Sequence, residues 1–303
     1  MEAANPKLTR WRRRQDRCVH LLGSACTLVA LITLLALIGD LAWDGIRRLD
    51  LQFLTSFPSR KPERAGILAA WVGSVAIMGV TAAVAIPVGV ATAVYLEEYA
   101  RKNWLTTLIE VNIANLAGVP SIIYGLMALG ILVYMLHLGE SILTGGITLA
   151  LLVLPIVIVA TREALRGIPV GVREAAFALG GTRWQVVRHH LLPYSLSGIA
   201  TGIIIAMSRA IGETAPLITI GALTFIAFLP ASPIQPEPPF VSAEWLRSPF
   251  TVLPIQMFNW VSRPGADFLA NAAAAGLVLM ALTLGLNGAA IVVRYRSRRK
   301  LNW

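Results

Sequence analysis

Residues 161–217 read TREALRGIPVGVREAAFALGGTRWQVVRHHLLPYSLSGIATGIIIAMSRAIGETAPL. The first half is polar, carries arginines, and lies between two long apolar runs. Residues 163–165 and 174–179 are helix-forming, and Gly167, Pro169 and Gly171 punctuate them. That order predicts a helix, a break, a second short helix and a stop at Gly180-Gly181. Hydrophobicity resumes at Leu192-Pro193, and inside the run that follows stand two charges, Arg209 and Glu213. Residues on either side of the stretch read as membrane-spanning helix, so this is where an apolar chain meets water.

Of 303 residues, 56% are hydrophobic and 14% charged, and the mean hydropathy is +0.69. These values indicate an all-α integral membrane protein. A net charge of +10 would suggest nucleic acid in a soluble chain. Here Lys and Arg fall mostly in short loops and tails, as a topology signal does, so nucleic acid is set aside. Cys18 and Cys26 are too few and too poorly placed for a disulfide framework.

A hydrocarbon core about 30 Å thick needs about 20 helical residues. Six runs are long enough: 21–39, 65–96, 111–136, 141–161, 191–229 and 268–293, all uncharged except the fifth, which holds Arg209 and Glu213. Pro87 predicts a kink or an early end in the second. Asn112, Asn115 and Val119-Pro120-Ser121 predict that the third begins as irregular backbone covered by protein. Six spans with the N-terminus in the cytoplasm place eighteen Lys and Arg inside and seven outside, with Arg209 in the membrane. Both termini are therefore expected in the cytoplasm. The first run follows Arg10, Arg12, Arg13, Arg14 and Arg17 and reads as a retained signal-anchor helix.

The chain divides into 1–64, a basic tail with the first helix and first external loop, and 65–303, a core of five further helices. Within the core, about 161–193 is a cytoplasmic segment. About 230–267 is an external loop whose prolines (Pro230, Pro233, Pro236, Pro238, Pro239, Pro249, Pro254, Pro264) exclude a long helix. No internal repeat supports an inverted-repeat transporter.

Arg209 and Glu213 are spaced i and i+4, on one helical face. Charges at membrane depth usually face a cavity or pair with each other, so the two read either as a functional foothold or as a structural brace. Gly212 and Pro216 loosen the helix around them. Arg209 suits an oxyanion because guanidinium is permanently charged and planar. Arg162 is a second candidate at the cytoplasmic end of the fourth run; an interfacial positive-inside arginine is the alternative.

The order Glu174-Ala175-Ala176, then Gly180, then Leu192-Pro193 resembles the EAA motif of ABC-importer permeases, with His190 where an aliphatic residue is usual. The resemblance implies a type I permease fold and a coupling helix, with Glu174, Ala175, Ala176, Gly180, Leu192 and Pro193 serving a partner ATPase. Residues 118–125 (GVPSIIYG), 208–217 (SRAIGETAPL) and 253–260 (LPIQMFNW) are similar to the PstA-type membrane subunit of bacterial phosphate importers. That similarity implies inorganic phosphate as cargo and a bacterial inner-membrane location. It also implies three partners: a second, PstC-like permease, a PstB-like ATPase dimer and a PstS-like phosphate-binding protein. Sulfate or molybdate importers, a stand-alone secondary transporter and a membrane scaffold are the other readings.

No Gly-x-x-x-x-Gly-Lys-Ser/Thr loop occurs, so ATP hydrolysis is expected on a separate subunit. Neither a nucleophile elbow nor metal-ligand spacing among His20, His137, His189 and His190 is present, and no cofactor is expected.

Overall fold

The computed structural model describes residues 6–234, 240 and 242–299. Near its ends, at 6–10, 12–14, 293 and 297–299, only the backbone is described. Pro236, Pro238, Pro239 and Lys300 lie outside the described residues. In chain order the helices are α1 (Pro6–Gly45), α2 (Leu51–Thr55), α3 (Leu68–Val94), α4 (Trp104–Leu116), α5 (Ser121–Ala128) and α6 (Ile142–Arg166). They continue with α7 (Val170–Ala178), α8 (Arg183–Val186), α9 (Leu192–Gly212), α10 (Ala215–Thr219), α11 (Leu253–Val261) and α12 (Ala266–Arg299). Five helical stretches among the described residues are long and apolar enough to cross a membrane. The bent pair Trp104–Leu116 and Ser121–Met135, at 106°, makes a sixth when taken as one span.

The centre is α6, packed between α3 and α9. Small residues let these backbones approach: Gly146 sits against Val80, Gly89 against Val157, and Gly198 and Gly202 against Ala164 and Ala160. Thr81 Oγ1 donates across the first seam to Gly146 O at 3.1 Å. With water absent from a bilayer core, such close packing and interhelical hydrogen bonds, more than hydrophobicity, hold helices together. The second run passes through Pro87 as one helix, and its end widens into a π turn at Tyr95–Tyr99.

Two expectations change. The third run does not begin as irregular, covered backbone: residues 111–116 belong to the regular helix α4, and the break that follows at 117–120 is largely exposed. The fifth run does not span to 229: its helix ends at Gly212, and 213–234 is α10 followed by irregular chain. Pro216 explains the stop, because it cannot donate to the carbonyl of Gly212 and its ring crowds that group. A π turn at Val187–Leu191 precedes α9, next to Pro193, which likewise cannot bond back to His189.

α1 contributes little to the core, and none of its most apolar window is buried within the chain. It touches α12 at its C-terminal end, where Gly45 backs onto the peptide of Ala273-Ala274. Just beyond, Arg48 organises the following loop. It donates to Asn271 Oδ1 at 2.9 Å and to the carbonyls of Glu63 at 2.7 Å and Ala65 at 2.9 Å. It also pairs with Asp50 at 3.3 Å and lies over the Phe53 ring. Arg47, its neighbour, is exposed.

Arg48→Ala leaves Asn271 and two loop carbonyls without their donor, so it should lower the stability of the detergent-purified protein by roughly 2 kcal/mol or more. Arg47→Ala should leave the melting curve unchanged.

Candidate functional site

The intramembrane pair is formed at the end of a helix, not along one. Arg209 occupies the last turn of α9, whereas Glu213 has already left it, with φ −76 and ψ 127. The two still meet, Arg209 Nε to Glu213 Oε1 at 3.3 Å. Glu213 is 18% exposed and Arg209 39%, so the pair opens on one side. Glu213 engages only the Nε edge. Among the described residues the two terminal amino groups of Arg209 make no hydrogen bond or ion pair, which leaves a fork of donors free. Beside Arg209, the Ser208 hydroxyl lies 2.7 Å from Asn287 Oδ1 and ties α9 to α12.

A second break in helix lies opposite. Between α4 and α5 the chain turns through 106° at 117–120. Tyr124 Oη donates to Leu116 O at 2.8 Å and closes the exposed end of α4. Gly125, on α5, then packs directly on the backbone of Pro216 and on Thr219 of α10; a Cβ there would lie 2.7 Å from Pro216 Cα. Segments 118–125 and 208–217, more than 80 residues apart in the chain, thus form one structure. Segment 253–260 is α11. Leu253 N is held by Ser74 Oγ at 3.0 Å, and neighbouring Val252 joins Ile211 and Leu217 behind the break.

Arg162 belongs elsewhere. Gly198 faces Ala164 and Gly202 faces Ala160, so Arg162 is level with about residue 200 of α9. Nine residues at 1.5 Å per residue separate that level from Arg209, roughly 13 Å along the bundle. Arg162 is buried and held between Glu110 Oε1 of α4, at 2.7 Å, and Glu97 Oε2, at 3.5 Å. Arg166 shares Glu97 at 3.0 Å and meets Glu163 at 3.5 Å. The glutamates Glu97, Glu98 and Glu110 were not singled out in the sequence. Their one signal is that they flank apolar runs at the same end as the arginines.

At this end α7 stands on a small core in which Ala176 packs with Leu165, Ile168, Val186, Val187 and Leu191. Glu174 and Ala175 face outward. Gly180 has φ +81 and nothing within 4 Å of where a Cβ would be. Its backbone conformation, more than close approach within this chain, requires glycine. Leu192 is partly buried and Pro193 starts α9. Leu179 is 88% exposed, and Val170, Phe177 and Trp184 are exposed as well.

A cleft of about 430 Å³ between α3, α9 and α12 is lined by Met78, Met207, Leu282 and Leu286, with Ser74 and Asn287. It has no charged lining and does not suit an anion. Among the described residues no group of three or more His, Cys, Asp or Glu side chains could hold a metal ion.

The family described as "Binding-protein-dependent transport system inner membrane component" matches residues 85–298. The chain belongs to that family. It is an ABC-importer permease subunit of the inner membrane. The match covers α7, Arg162, Arg209 and Glu213, and α1 lies before it. Phosphate transport system permease protein PstA of Yersinia pestis is 34% identical, over 90% of this chain and 87% of its own. The probable ABC transporter permease protein YqgI of Bacillus subtilis is 30% identical, over 91% and 94%. The permease is also similar in fold to a chain of a bacterial alginate ABC transporter, with a TM-score of 0.64 and 14% identity over 92% of this chain and 95% of that one. A chain of the MetNI methionine ABC transporter gives 0.58 and 18%, over 74% and 93%.

The contact between the two breaks can be tested directly. Gly125→Ala should destabilise the permease by about 1–3 kcal/mol in detergent melts, because backbone atoms of α10 cannot yield to the added methyl. Gly130→Ala, at a position with open space, should be tolerated.

Proposed function

We propose that this permease is the PstA-type half of the translocation pathway of a phosphate importer. In this reading Arg209 is the foothold for the anion and Glu213 holds the guanidinium. The observation that carries it is the free fork of Arg209, opening at a break in helix against which α5 packs through Gly125. Guanidinium matches phosphate oxygens two at a time, and Glu213 can accept from a protonated phosphate oxygen. One such charge suits a permease, which must release what it binds. The relatives named as phosphate permeases, PstA of Yersinia pestis and of Haemophilus influenzae, span four-fifths or more of the chain.

The α7 end is then cytoplasmic, as are both termini. Leu179, Val170, Phe177 and Trp184 are the exposed apolar side chains offered to a groove on a separate ATPase dimer, together with Glu174, Ala175 and Gly180. A second permease of PstC type completes the pathway, and a phosphate-binding protein delivers cargo from outside. Arg162, closed between two glutamates, serves the exit side in this scheme only when those pairs open.

In proteoliposomes containing the complete importer, Arg209→Gln should cut phosphate uptake at least roughly tenfold, as loss of a charged hydrogen-bond donor implies. The complex should remain intact by size-exclusion chromatography. Uptake at the normal rate would reduce the pair to a brace, and preferential uptake of sulfate or molybdate would change the cargo.

Leu179→Asp should reduce co-purification of the ATPase. Gly180→Val, which strains a left-handed residue, should raise the ATP hydrolysed per phosphate imported.

A further inference from the structure

Two adjacent glutamates, Glu97 and Glu98, sit in the π turn Tyr95–Tyr99 that ends the α3 span. Adjacent side chains on a helix diverge by roughly 100°, so neighbours of like charge can serve different partners. Here Glu97 turns to α6, where it meets Arg162 and Arg166. Glu98 turns to α7, where its Oε1 accepts from Arg173 Nη2 at 3.0 Å and Nε at 3.2 Å. Both side chains of the second pair are mostly out of water, at 19% and 12% exposure. Arg173 also donates to Leu165 O at 2.8 Å, in the last turn of α6, and to Ile168 O at 3.1 Å, just beyond it. One guanidinium therefore touches the ends of α3 and α6 from within α7.

The covalent connections of α7 contrast with this. It is nine residues long, preceded by Gly167 and followed by Gly180-Gly181, so its chain ends can flex. A push on α7 would be absorbed at those glycines unless side-chain contacts carried it. The apolar contacts of Ala176 lead to Leu191 and the start of α9. Arg173 offers a second route. From Glu98 it passes along the same turn to Glu97, across Arg162, and on to Glu110 of α4 at 2.7 Å. The α4 helix ends in the 106° elbow whose far arm rests, through Gly125, on Pro216 beside Glu213.

We propose that the Arg173–Glu98 ion pair is a strut through which displacement of α7 reaches α3 and, by way of Glu97, Arg162 and Glu110, the elbow beside the Arg209–Glu213 pair. Arg173 and Glu98 are positioning residues: neither touches cargo or ATP. The proposal rests on the reading of α7 as the element that an ATPase moves.

The test uses the complete importer in proteoliposomes, with ATP hydrolysis and phosphate uptake measured on the same vesicles. Glu98→Gln and Arg173→Gln should each raise the ATP hydrolysed per phosphate imported at least fivefold, with the ATPase still co-purifying. Because both changes break one strut, the double variant should be no worse than the more damaged single. Arg173→Lys keeps a cation opposite Glu98 but cannot hold both carbonyls; it should retain most of the coupling.

Wild-type ratios in both single variants would overturn the strut, as would damage that multiplies in the double. Loss in Arg173→Lys equal to that in Arg173→Gln would assign Arg173 to capping α6 instead. Should Leu179→Asp and Gly180→Val also leave attachment and coupling intact, the reading of α7 itself fails and the strut with it. If they disturb coupling while Glu98→Gln does not, only the strut fails. Melting curves for Glu98→Gln and Arg173→Lys within a few degrees of wild type exclude misfolding as the cause.

Discussion

In hydrocarbon, a backbone amide without a hydrogen-bond partner costs several kcal/mol, so a helix interrupted at membrane depth must be covered by protein. Two such interruptions, at 117–120 and 213–214, shape this permease. Each is satisfied partly from within: Gly118 N and Val119 N reach back to Asn115 O and Leu116 O, and Glu213 N reaches Ala210 O. Tyr124 supplies Leu116 O with a second donor, and Thr219 Oγ1 bonds to Pro216 O. Pressing α5 onto α10, which Gly125 permits, shields the second break, whereas Ala117, Gly118 and Pro120 of the first are exposed in the single chain. Two distant segments meet at this contact, and the Arg209–Glu213 pair lies beside it.

The charges obey the same economy of solvation. A buried guanidinium is tolerable only when its donors are used. Arg162 has Glu97 and Glu110, Arg173 has Glu98 with two carbonyls, and Arg48 has Asn271 with loop carbonyls. Arg209 differs, being half open and only partly engaged. The contrast separates three arginines that build the protein from one with capacity to spare. The same contrast makes Arg162, closed between Glu97 and Glu110, a brace in this structure.

The helical spans were legible because an apolar run of about 20 residues has few other fates. The stop at Gly180, the break at Gly167–Pro169 and the irregularity near Pro120 were legible because glycine and proline act locally through φ and the missing N–H. The end of the fifth span at Gly212 was not legible. The sequence 213–229 stays apolar, and only the proline at 216 marks where the helix stops. Glu97, Glu98 and Glu110 were not legible, because a carboxylate at the end of a span looks alike whether it faces water or an arginine 52 to 75 residues away.

The amino-acid sequence by itself determined the all-helical membrane class, the place of the α7 segment between two spans and the presence of an arginine and a glutamate at membrane depth. These depend on composition and on spacing within a few turns. Only the tertiary structure decided which charges are spent on one another, that α9 ends before Glu213, and that the 118–125 and 208–217 segments share one contact. Such outcomes depend on which helices lie side by side, and in this fold that follows from small residues allowing backbones to touch across long intervals of sequence.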